Sequence, residues 1–189
     1  MNESALVPVP DLQQLSLVIS PRAARAQMLE MAAMLSLRGT LRVFDGGNML
    51  DVYRMAKSIR RRTPRVEEAL ERIHLSRAFS CYQVVVLLSE ASAGTAPLLV
   101  CDLLGTFYDE NVTLKEAHRL LEICLRHLRR LSREAIVVVS ARPPRLNPER
   151  VELLERLMEE IQNVREIVEL EEEQAPVLPT GIVQPPLPF

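Results

Sequence analysis

Two aspartates, Asp45 and Asp102, each close a short apolar run, TLRVFD at 40–45 and PLLVCD at 97–102. Carboxylates at the carboxyl ends of strands can hold a divalent ion through water. The histidines and cysteines add no metal motif: Cys81, Cys101 and Cys124 form no CxxC pair, and none has ligand spacing to His74, His118 or His127. The expectation is therefore no metal. Asp102 should cap its loop or hydrogen-bond the Ser20 region, and the cysteines should be reduced, buried thiols of a cytoplasmic protein.

A second place for chemistry is the run SLVISPRAARAQMLEMAA, Ser16 to Ala33, which passes from strand-like directly to helix-like. A phosphate loop at such a junction needs inward backbone N–H groups, Gly where φ is positive, and a Lys and a hydroxyl for phosphate and Mg²⁺. Ser20 to Gln27 contains no Gly and no Lys, and Pro21 removes a donor. No cofactor is expected there. Arg22 and Arg25 stand where a phosphate would lie. In the plainer reading two cations at the positive helix end are mildly unfavourable and turn to solvent or to Asp102.

The elements that position these residues follow from periodicity. Apolar runs at 15–20, 40–45, 73–79, 97–102, 135–140 and 164–170 alternate with helical patterns from Pro21 to Leu37, Asp51 to Arg62, near Cys81 onward, Leu114 to about Arg133 and Pro148 to about Gln162. Near-continuous Val/Leu/Ile strands alternating with helices indicate an α/β fold, a mostly parallel sheet covered on both faces. Thr113 and Glu116 make a capping-box pattern. Behind them Leu114, Ala117, Leu121, Cys124, Leu128 and Leu131 form one apolar stripe. Asn147 before Pro148 reads as an N-cap with a first-turn proline, leading a stripe of Val151, Leu154, Leu157, Met158 and Ile161.

A chain of 189 residues with 48% hydrophobic content suits one domain with its own core. The expected organisation is an N-terminal extension at 1–11, a domain at 12–170 and an acidic, then proline-rich tail at 171–189. Asn2 and Glu3 do not make a signal-peptide start, and no apolar run approaches membrane-span length. The net charge of -2 argues against global capture by nucleic acid.

From Arg42 onward the order of segments is specific. RVFDGGNMLDVYRMAKSIRR, VEEALERIHLSRAFSCYQVVVLL, PLLVCDLLGTFYDEN and LRHLRRLSREAIVVVSARP together resemble the ATPase core of the RecA/RadA recombinase family, over about residues 12 to 145. The SRAF element, with Gln83 four residues beyond its Phe, and LLVCDLLGTFY are its most specific pieces. The resemblance implies a three-layer RecA-like fold with strand order 3-2-4-5-1-6. It makes Asp102 a vestigial Walker B aspartate, with Gly47 where the family has its water-polarising glutamate and Ala141-Arg142 at the sensor position. With those parts gone, no catalytic residue is expected and the chain reads as a pseudo-ATPase.

Surfaces must then carry the role. The resemblance makes the SRAF strand a sheet edge on which a partner adds an extended segment, with Phe44, Ser76, Ala78, Val84 and Leu88 at the contact. Arg54, Lys57, Arg60, Arg61, Arg62 and Arg65 form a basic patch for DNA or an acidic partner, and more arginines line the 114–133 helix. Without Trp, base stacking is unsupported. Gln184, Leu187 and Phe189 in QPPLPF resemble the peptide that docks bacterial repair proteins on the sliding clamp. The leading expectation is an inactive RecA/RadA-like accessory protein of DNA recombination, repair or damage tolerance, partnered by a RecA-family or repair-polymerase protein. Two alternatives are a division regulator resembling the SOS cell-division inhibitor and a nucleotide-binding ATPase with an altered loop.

Overall fold

A computed structural model describes residues 15–166. The chain alternates strands and helices: β1 (Leu15–Ile19), α1 (Arg25–Ser36), β2 (Leu41–Asp45), α2 (Val52–Arg60), α3 (Val66–Glu71), β3 (Ile73–Arg77), α4 (Cys81–Glu90), β4 (Leu98–Cys101), α5 (Leu114–Ser132), β5 (Val137–Ala141), α6 (Val151–Glu160) and β6 (Asn163–Glu166). The strands form one sheet in the order β3-β2-β4-β5-β1-β6, and every pairing is parallel. The expected α/β class, three layers and strand order are all present.

Burial explains the order. β4 and β5 are buried along their whole length, as strands covered on both faces must be, and their Val/Leu sequences supply apolar side chains to both faces. One face packs on α1, α2 and α3 through Met28, Ala32, Met55, Ile59 and Ala69. The other packs on α4, α5 and α6 through Leu88, Leu121, Leu128 and Leu157. At the edge, β3 is only half-buried, with His74 and Arg77 exposed.

Thr113 caps α5 by accepting from the Glu116 N–H at 3.3 Å, and the α5 stripe is buried except for half-buried Leu114. Three helix expectations need correction. The first helix starts at Arg25 rather than Pro21, because residues 20–24 form a tight turn. Asn147 makes no side-chain cap; its Nδ2 donates instead to the Tyr108 carbonyl at 3.5 Å. Val151 is 38% exposed and stands outside the α6 stripe, because the buried face of α6 centres on Leu153, Leu154 and Leu157 and turns the first helical position aside. Helix α3 was not expected. The predicted segments 1–11 and 171–189, with Gln184, Leu187 and Phe189, lie outside the described residues, as does the last part of the 164–170 run. Among the described residues no helix is long and apolar enough to cross a membrane.

Candidate functional site

The carboxyl ends of parallel strands are where α/β sheets usually carry ligands, and both aspartates stand there. Asp45, at the end of β2, is fully buried. Its Oδ1 accepts from the Met49 N–H and its Oδ2 from the Leu50 N–H, both at 2.9 Å, and Arg77 Nε lies 3.5 Å from Oδ2. These bonds fold the 46–50 loop back over the strand end. Asp45 is thus the anchor of a turn.

Asp102 follows β4 and is 1% exposed. Its backbone is left-handed, with φ of 49°, and its N–H donates to Ser140 Oγ at 3.0 Å. Arg142, one residue past β5, donates Nε–H to Asp102 Oδ2 at 2.9 Å. Burial pushes the Asp102 carboxyl above the ordinary carboxylate range, against the opposing pull of the Arg142 guanidinium. Oδ1 is buried and has no hydrogen-bond partner among the described residues.

Two glycines wall the carboxylate. A Cβ added at Gly47 would lie 2.2 Å from Asp102 Oδ2, and one at Gly105 would lie 2.6 Å from the same atom. The position to which the resemblance assigns a glutamate therefore has no room for any side chain while Asp102 keeps its place. Among the described residues no group of three or more His, Cys, Asp or Glu gathers to hold a metal.

The Ser20 junction is closed in its own way. Ser20 N–H donates to the Ala141 carbonyl, Ala23 N–H to the Ser20 carbonyl and Arg25 N–H to the Arg22 carbonyl, while Ala24 N–H donates to Ser20 Oγ at 2.5 Å. Donors that a phosphate loop would aim at its ligand are here used inside the turn or on β5. Ala23 and Ala24 have φ of 52° and 50°, a left-handed path that costs an alanine roughly 1–2 kcal/mol. Arg25 reaches Asp51 at 3.9 Å, not Asp102.

The expected contact residues separate. Phe44 and Ser76 sit opposite each other in the β2–β3 register and are half-buried. Ala78, Val84 and Leu88 are buried in the core, and so line no open pocket beside β3. The reason is the direction of α4: starting at Cys81, it turns Cys81, Val84 and Leu88 toward the sheet. Its outward face instead exposes Tyr82 and Val86, and Phe79 is exposed in the loop before it; none of the three was expected from the sequence, although CYQVVVLL is apolar on more than one side.

The basic patch is largely paired. Glu30 of α1 ion-pairs with Arg61 at 3.3 Å and also with Arg62, Arg54 lies 3.6 Å from Asp51, and Arg65 lies 3.8 Å from Glu68. Lys57 and Arg60 have no ion pair among the described residues. On α5, Arg119 pairs with Glu116 at 2.7 Å and Arg129 with Glu160, while Arg130 donates to the Leu88, Ser89 and Ala91 carbonyls at the end of α4.

Beside Asp102 opens a cleft of about 710 Å³, formed by the loops that follow β3, β4 and β5. Phe79, Thr106, Arg142, Arg145 and Leu146 line it. Phe79, Thr106 and Arg142 belong to segments that carry the resemblance, while Arg145 and Leu146 bear no sequence signal. No family model and no curated protein matches the chain.

Proposed function

We propose that the chain is a catalytically inactive, RecA/RadA-like accessory protein that works through protein–protein contacts in DNA recombination, repair or damage tolerance. The observation that carries the inactive half is the Arg142–Asp102 ion pair set beside the self-bonded 20–24 turn. Phosphoryl transfer rests on positioning and charge neutralisation. Here the carboxylate that would neutralise charge through Mg²⁺ already neutralises an internal guanidinium, and the turn that would hold phosphate spends its donors on itself.

The contact half is supported by β3. It ends the sheet. Arg72 and Ala78 turn their backbone groups to β2, so the alternating backbone N–H and C=O groups of Ile73, Leu75 and Arg77 face away from β2. Elsewhere on the surface Tyr82 and Val86 are exposed on the outward face of α4, and Phe79 is exposed just before that helix. An open edge strand suits an added strand from a partner, and the exposed apolar side chains of α4 offer a second contact surface. The pathway comes from the resemblance alone.

Two measurements test this. Calorimetry with Mg²⁺ and ATP should give no binding heat, and stoichiometric binding would overturn the reading. Affinity purification from the native cell should recover a recombination or repair protein with the wild-type chain and lose it with the double variant Tyr82→Ser, Val86→Glu, whose circular dichroism should match wild type. Ala78→Glu would test folding rather than contact, because Ala78 is fully buried.

A further inference from the structure

The cleft at the carboxyl edge carries donors without acceptors. Arg142 uses Nε on Asp102, and its backbone carbonyl accepts the Tyr108 hydroxyl at 2.7 Å, which fixes the strand end. Its two terminal amino groups make no hydrogen bond among the described residues. Arg145 makes one long contact, Nη2 to the Pro21 carbonyl at 3.5 Å. Thr106 Oγ1 is buried and unpartnered. Asp102 pairs with Arg142, and Arg145 has no ion pair among the described residues.

The walls have a different character. Phe79 is 68% exposed and Leu146 is 89% exposed, and both line the same cleft. Side chains of that size in water mark a surface that gains from being covered. The rim limits the negative charge of the visitor: Asp109 and Glu110 line the cleft and are exposed. Asn111 donates both its backbone N–H and Nδ2 to Asp109 Oδ1, at 2.9 and 2.8 Å, which holds the Asp109 carboxyl below its ordinary range and therefore charged. A run of phosphates would meet those carboxylates. A single carboxylate next to an apolar group meets the guanidiniums and the walls and avoids the rim.

We infer that the cleft binds a short peptide segment of a protein partner, one Asp or Glu side chain resting on Arg142 and Arg145 and a neighbouring apolar side chain resting on Phe79 and Leu146. Arginine suits this contact because its planar fork matches a carboxylate. The inference rests on the protein-contact role proposed above and adds a second contact site with a stated chemistry.

The probe is a random peptide library selected on the full chain, with enriched sequences then synthesised and titrated. Enriched peptides should pair an acidic residue with an apolar one a position or two away. Their affinity should fall roughly tenfold or more in Arg145→Glu and in Leu146→Asp, both exposed positions, and stay unchanged in Lys57→Glu on α2. The inference is overturned if no peptide binds, if the pairing is absent, if the two cleft variants bind as wild type, or if a single-stranded oligothymidylate displaces the peptides. Failure here with a partner still recovered through the β3 edge removes the cleft alone. Binding of Mg²⁺-ATP removes the accessory reading and leaves the peptide result standing.

Discussion

Arg142 Nε and Asp102 Oδ2, 2.9 Å apart, tie the residue after β5 to the residue after β4. Asp102 is buried, and its proton is held more tightly in the folded protein than in the unfolded chain because desolvation raises its pKa more than Arg142 lowers it. Stability from this group is fully present below the ordinary carboxylate pKa and is lost as pH rises through the raised folded value. Arg142→Ala removes the main opposing charge, so the loss should grow and extend to higher pH. Urea unfolding at pH 7 should show a cost of about 3–5 kcal/mol for Arg142→Ala. The cost should shrink at acid pH, where Asp102 is protonated, and the double variant with Asp102→Asn should recover most of it. An equal cost at both pH values would show that the ion pair is not the cause.

Gly47 gives a test that bears on the resemblance as well as on packing. Its added Cβ would come within 2.7 Å of the Asp102 Cβ as well as 2.2 Å of Oδ2, and Asp102 is fixed by Ser140 and Arg142. Gly47→Ala should therefore lower the unfolding midpoint, with a cost of about 1–3 kcal/mol from overpacking. Gly47→Glu, the residue type the resemblance would place there, should cost at least as much and confer no ATP hydrolysis. A stable Gly47→Glu protein that hydrolyses ATP would contradict both statements.

The sheet was legible because its strands are extreme. LLVC and VVVSA are buried throughout, and such runs suit only the middle of a parallel sheet, while the position of β3 came from the order of the SRAF and LLVCD segments. The places of the two aspartates at strand ends were legible, since residues 40–45 and 97–102 both end in Asp. What each aspartate bonds was not, because Arg142 meets Asp102 across 40 positions of sequence and no local pattern encodes that. Helix α3 escaped notice because six residues are too few for a helical period. The burial of residues expected at the contact turned on a question of facing. A helix apolar on several sides does not say which side meets the sheet, and Val84 and Leu88 met it while Tyr82 and Val86 did not.

Arg150 carries a last prediction, one that depends on a side chain no motif pointed to. It is 5% exposed, and it donates Nη1–H to the Phe107 carbonyl at 2.7 Å and Nη2–H to the Val112 carbonyl at 2.5 Å. Those bonds pin the loop between β4 and α5, which forms one wall of the cleft, to the start of α6. Arg150→Met keeps an apolar stem and removes both donors, leaving two carbonyls in search of water. Hydrogen bonds to a charged group contribute about 1.5–3 kcal/mol each, so the variant should lose about 2 kcal/mol or more in urea unfolding. Because the loop is held at its far end by this residue, limited proteolysis should cut the variant between Leu104 and Val112 faster than wild type, at a protease level that leaves the helices intact. Cleavage at an unchanged rate would show that Asp102 and Tyr108 hold the loop without Arg150.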